Sequence, residues 1–263
     1  MAERLSALEL DFLSEALRAG ELPYPLRVRS HGESVEERAG LRGQVMAGLA
    51  RRGLVDDGGT PQPWLEDAFE VLVGSEVSLD SIQLVAQNAQ PRLAVAAAIG
   101  GEGVLAVQEG YGLYLERVPA DGLASAIVGQ LPPASRGTEK SITVPIEQLL
   151  AGPGADFMQR RASAPQGGVG TADTDRKALA RLHAQERLRG GQLGANARGR
   201  SGGRSRMPVL SWFDTETGRY FTQASRGQDN RDWIIIAPAD AATLRHRLSE
   251  MLANAVNSTA APL

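Results

Sequence analysis

The chain has 263 residues, 42% hydrophobic and 22% charged, with a formal net charge of −3 and a pI of about 5.7. That length can bury a sizeable core in one large domain or two small ones. The weak negative balance excludes a global field that would draw the protein to nucleic acid or anionic lipid. Cysteine is absent, which removes disulfides and thiolate-bound metals and fits a reducing compartment. Glu9, Asp11 and Glu15 interrupt the only stretch that could serve as a signal peptide. The most apolar run, Leu93 to Gly101, is under half of the roughly 20 residues a membrane helix needs. The expectation is a soluble, cytoplasmic protein without membrane insertion.

In chain order, a helix is expected over Leu5 to Ala19, opened by a capping box of Ser6 and Glu9 and ended by Gly20. Two prolines make Leu22 to Val28 extended. A second helix follows over Val35 to Arg52 behind Ser34 and Glu37, and a third, short one over Trp64 to Val73. Strands are expected at Glu76 to Val85, Leu93 to Ile99, Val104 to Gln108 and Tyr111 to Arg117, the last two paired across Glu109-Gly110. Pro119 then starts a helix that stops before Pro132-Pro133. Ser141 to Val144 reads as a strand, and Pro145 to Leu150 as a short helix.

The middle of the chain changes character. Ala151 to Ala172 reads as a loop, and Asp173 to Arg189 as a helix with a thin apolar face. Gly190 to Arg206 is low in complexity, rich in Arg and Gly, and expected to be mobile. After it come a hairpin (Pro208 to Phe213 with Arg219 to Gln223), a strand over Asp232 to Ala237 apolar enough to be central and covered, a helix over Ala239 to Val256, and a fraying end.

Two stretches echo each other. Glu102 to Leu131 runs strand, turn, strand, Pro-Ala-Asp, helix. Pro208 to Leu252 runs the same way with one more strand before its Pro-Ala-Asp. The echo predicts an α+β fold in which a duplicated strand-and-helix unit lays one helix per copy on a shared sheet. The expected organisation is a single domain over 1–263. It has a helical part at 1–75, repeat halves at about 76–150 and 207–256, and a flexible insertion at about 151–206.

No catalytic constellation is legible, so an enzyme is not expected, nor a cofactor or small-molecule substrate. His31, His183 and His246 lack partners at metal-ligand spacing. No Gly-x-Ser-x-Gly elbow is present, and the glycines at 100–103 and 167–170 lack the Lys-Ser/Thr of a phosphate loop. The arginines of 187–206 resemble RNA-binding Arg/Gly segments. A nucleic-acid-associated regulator acting through that loop is therefore the alternative reading, against a solvated insertion as the simpler one. Trp212, Phe213, Tyr220 and Phe221 crowd one hairpin, and neighbours on a strand point to opposite faces. Either helices cover both faces or one face is left for a partner. Trp212, Tyr220 and Phe221 are the candidate anchors for such a partner, with Arg219, Arg245 and Ser249 as rim contacts.

Several segments together resemble the EspG family, associated with ESX (type VII) secretion in actinobacteria. They are Leu8-Glu9-Leu10-Asp11-Phe12-Leu13, Glu21-Leu22-Pro23-Tyr24-Pro25-Leu26, Ser211-Trp212-Phe213-Asp214-Thr215 with Gly218-Arg219-Tyr220, and Pro238-Ala239-Asp240 before the last helix. The resemblance spans about Leu5 to Leu252 and is weakest over 151–206. It implies a quasi-two-fold α/β fold, with a central antiparallel sheet built from the two repeated units and flanked by helical bundles, and a cytosolic, ATP-independent chaperone. Such a chaperone holds the hydrophobic tip of a PE/PPE-like helical client at a surface made by the sheet and the C-terminal helical region.

Overall fold

The computed structural model describes residues 2–85, 89–145, 171–199, 202–227 and 231–260. Its strands are β1 (Ala2–Leu5), β2 (Val77–Leu84), β3 (Arg92–Ile99), β4 (Glu102–Glu109), β5 (Gly112–Pro119) and β6 (Ile142–Pro145). They continue with β7 (Arg189–Arg198), β8 (Arg204–Arg206), β9 (Leu210–Thr215), β10 (Gly218–Arg226) and β11 (Asp232–Pro238). The helices are α1 (Ala7–Ala16), α2 (Val35–Arg51), α3 (Pro63–Gly74), α4 (Leu123–Gly129), α5 (Thr171–His183) and α6 (Ala241–Ala260).

All eleven strands join one sheet in the order β1-β5-β4-β3-β2-β7-β9-β10-β11-β6, with β8 paired to β7. The order is symmetric about the β2–β7 pair, which runs antiparallel from Val77 opposite Ala197 to Leu84 opposite Gly190. On one side β2, β3, β4 and β5 lead to α4. On the other β7, β9, β10 and β11 lead to α6. Both halves pass from last strand to helix through Pro-Ala-Asp, as the sequence echo predicts. In the second copy the Asp240 carboxylate accepts the Thr243 N–H at 2.7 Å and the Thr243 hydroxyl at 2.8 Å. These two bonds hold its pKa below the usual carboxylate value and cap the helix.

Local chemistry places the first layer. Ser6 and Glu9 complete their capping box: the Glu9 side chain accepts the Ser6 N–H at 2.8 Å, and the Ser6 hydroxyl accepts the Glu9 N–H. Ser34 caps α2 by accepting the Glu37 N–H. Pro63 sits in the first turn of α3, where its missing N–H costs nothing. Helices α1 to α3 bury Leu10, Phe12, Leu13, Leu65, Phe69 and Leu72 against Leu93, Val95, Val104 and Leu115 of one sheet face. On the opposite face α4 and α6 share a single cluster. Leu123, Ile127, Leu244, Leu248 and Met251 meet Leu79, Leu105, Leu193, Leu210, Trp212 and Phe221 there. That cluster draws from both halves. Back on the first face, α5 lays Ala178, Leu179 and Leu182 on Ile142, Val144, Phe213, Tyr220 and Ile236.

The largest departure from the sequence reading is at 190–206. The segment expected to be a mobile insertion supplies β7, one of the two central strands. Its glycines answer to close approach, not to flexibility. A Cβ on Gly191 would lie 2.3 Å from the Ile82 carbonyl oxygen, and one on Gly194 would lie 2.6 Å from the Asp80 carboxylate. Three further differences are smaller. Strand β1 is an edge strand where helix was expected to begin. Strand β11 is next to the edge and only half-buried over Trp233 to Ile235, with Trp233 to Ile236 pairing with β6 at its outer side. Helix α6 continues through Asn257 to Ala260 instead of fraying. The expected helix after Pro145 and most of the loop expected over Ala151 to Ala172 lie outside the described residues.

Candidate functional site

Four of the six candidate contact residues form interior structure. Trp212, Tyr220, Phe221 and Arg219 are only 2%, 1%, 2% and 3% exposed. The expected anchors are therefore core side chains in this conformation, with helices covering both faces. Trp212 and Phe221 belong to the α4–α6 cluster, Tyr220 and Phe213 to the α5 cluster. The alternation along β9 and β10 that made a free face conceivable instead feeds two cores. Arg219 is buried because it is fully paired. Its guanidinium donates to Asp214 at 2.7 and 2.9 Å and to the Pro132 carbonyl at 2.7 Å, and it lies 4.5 Å from the Trp212 ring centroid. A buried charge persists only under such compensation. Arg245 and Ser249 are exposed on α6, as expected, with the Ser249 hydroxyl donating to the Arg245 carbonyl.

The open surface lies elsewhere, on the face shared by α1–α3 and α5. Helices α1 to α3 cover β3 to β5, and α5 covers β9 to β11 and β6. Between them the middle strands carry a strip of side chains under neither cover. One end of the strip is a groove of about 970 Å³, with Ile82, Leu84, Leu188, Gln192, Ser211 and Phe213 among its walls. Ile82 borders the first cluster, and Phe213 belongs to the α5 cluster. Leu84, Val85 and Leu188 are 53%, 41% and 49% exposed. Leu84 and Leu188 both line the groove, so its mouth is partly apolar. The sequence reading missed them because each ends an element; only the β2–β7 register brings Leu84 beside Gly190.

At the other end of the strip a smaller hollow, about 580 Å³, is lined by Tyr24, Ser78, Asn196, Arg198 and Arg206. Asp80 divides the two. It is 3% exposed and accepts from Arg206 at 2.6 and 3.0 Å and from Asn196 at 2.9 Å. Donating these hydrogen bonds to Asp80 raises the Arg206 pKa above the usual arginine value.

This geometry also consumes much of the basic segment. Arg206 neutralises Asp80. Arg189 donates to Asp214 at 2.6 Å and to the Pro133 carbonyl at 2.6 Å, and Arg198 reaches the Val73 carbonyl at 3.4 Å. Charges held this way are not presented as an array for a polyanion. Among the described residues no three His, Asp or Glu side chains gather to hold a metal ion, and no helix is long and apolar enough to cross a membrane.

The family model described as the EspG family matches residues 6–250. The chain belongs to the EspG family. Among solved structures it is similar to the Mycobacterium tuberculosis type VII secretion system chaperone EspG5, solved in complex with a PE25–PPE41 dimer. The TM-score is 0.69 over 96% of each chain, at 15% sequence identity. At that identity the likeness concerns the fold. No curated protein matches the chain. EspG membership fits the symmetric sheet, and the match includes the central strand β7, where the sequence resemblance was weakest.

Proposed function

We propose that this EspG protein is a cytoplasmic, ATP-independent secretion chaperone that binds a PE/PPE-like client for type VII (ESX) secretion and performs no catalysis. The supporting observation is the agreement of the whole fold, over 96% of both chains, with a chaperone solved while holding a PE–PPE dimer. The domain reading attached to this proposal is one body whose halves act as a single platform. The groove beside Leu84 and Leu188 receives the client's apolar end, and the exposed face of α6 around Arg245 and Ser249, across the sheet from the groove, offers a separate contact surface. Covering an exposed apolar tip removes an aggregation-prone patch from water.

The test is co-expression with PE/PPE-like pairs, followed by size-exclusion chromatography. The expected result is a soluble ternary complex with at least one pair, lost in Leu188→Asp. Failure of the wild-type chain to hold any such pair would remove the chaperone assignment.

A further inference from the structure

Two charged groups line the groove without an ion-pair partner among the described residues, Glu186 and Arg187, and of these Arg187 is held in place by a ring. The Arg187 guanidinium lies 3.8 Å from the Phe213 ring centroid. Phe213 stacks in turn on Tyr220, with centroids 5.7 Å apart and planes at 22°. The Tyr220 hydroxyl accepts the Thr138 and Glu139 N–H groups at 3.0 and 3.1 Å, which fixes the far end of the stack. Arg187 thus lies against a buried ring whose own position is fixed by its stacking on Tyr220. Burial against the ring pulls its pKa below the usual arginine value, and its charge helps burial to lower the pKa of His183. The acids closest in sequence do not answer it: Asp214 is taken by Arg189 and Arg219, and no ion pair joins Glu186 to it.

The contrast with the rest of the basic segment carries the inference. Arg189 and Arg206 both meet buried carboxylates; Arg187 is equally well placed by the fold yet meets none. A cation held against a ring beside apolar walls is complementary to an apolar surface bearing one negative charge, and poorly complementary to a wholly apolar or basic one. We infer that Arg187 is a specificity-determining residue, selecting clients whose inserted apolar end carries a carboxylate that pairs with its guanidinium. This rests on the chaperone reading above and adds to it the chemistry of the client's tip.

The test uses the full chain with a PE/PPE-like pair that the wild type captures, measuring affinity at two salt concentrations. Arg187→Glu is expected to weaken binding about tenfold or more, as for loss of a charge-assisted hydrogen bond, while Arg187→Lys retains most of it. Wild-type affinity should fall with salt, and that of Arg187→Leu should not. Neutralising, one at a time, the acidic residues of the client's apolar end should find one whose loss weakens the wild type and leaves Arg187→Leu unaffected. The thermal midpoint of each Arg187 variant should stay close to wild type, since the side chain closes no internal ion pair and only its contact with the Phe213 ring is lost. If Arg187→Glu binds within twofold of wild type while Leu188→Asp does not bind, the inference falls and the chaperone reading stands. If the wild type captures no pair at all, both fall.

Discussion

The two helical covers on the groove side of the sheet are built to different strengths. The amino-terminal cover has three helices, a broad apolar core and an ion-pair network that ties the first two helices together. Asp11, 5% exposed, accepts from the His31 N–H at 2.7 Å and from Arg38 through both oxygens at 3.0 Å. Arg38 and Arg42 both reach Glu15. Among the described residues the other cover is α5 alone. Three apolar side chains hold it down, with exposed pairs at its flank: Arg181 to Glu139 and Lys140 to Asp175, each at 2.8 Å. The strip between the covers is therefore flanked by a heavily tied cover on one side and, among the described residues, by a lightly tied one on the other.

The contrast can be broken most forcefully on the heavily tied side. Phe12→Ala empties a 1%-exposed site under the Arg38 guanidinium and should cost about 4 kcal/mol, read by denaturant unfolding. Next is the boundary between the two hollows. Arg206→Ala strips Asp80 of its cation and should cost about 3 kcal/mol. Asp80→Ala should cost less, because the Arg206 side chain is 41% exposed and can hydrate. On the lightly tied side Leu182→Ala should cost about 2 kcal/mol, at the low end for such truncations because a thin layer collapses easily. It should appear as faster amide exchange confined to α5 and its neighbours; an equal effect across α1 would erase the difference between the covers.

Acid gives a smaller and selective effect. Burial raises the Asp11 pKa, but the hydrogen bonds from Arg38 and His31 outweigh it, so the folded value lies below the ordinary 3.8. A depressed carboxylate contributes stability that is present above its unfolded value and lost as pH falls through the folded one. Unfolding free energy should therefore drop below about pH 4, and Asp11→Asn should flatten that part of the curve. Smallest of all, Lys140→Ala should cost under about 1 kcal/mol, as for exposed pairs generally.

How much of this was legible depended on whether a residue's role was local. The capping box at Ser6, the hairpins and both Pro-Ala-Asp junctions follow from neighbours in sequence, and each was readable. The shared α+β sheet followed from the echo. Strand β7 was not legible, because Gly190, Gly191 and Gly194 carry the composition of a linker. Only the nearness of Ile82 and Trp212 shows that a side chain would not fit. The same applies to Trp212 and Tyr220. Aromatic residues on a hairpin suit an interface as well as a core, and the presence of α5 and α6 on opposite faces decided between them. The exposed cluster at Leu84 and Leu188 arises only when residues about a hundred positions apart are paired.

That pairing has a cost during synthesis. Strand β2 waits for β7, with partners such as Asp80 and Asn196 separated by 116 residues. Until the later strand emerges, β2 presents a bare row of backbone donors and acceptors, the kind of edge that invites another chain. Closing so long a loop is also slow. The protein that is to shelter an apolar end thus begins with an unguarded edge of its own. A product truncated before Arg189 should be found in the insoluble fraction.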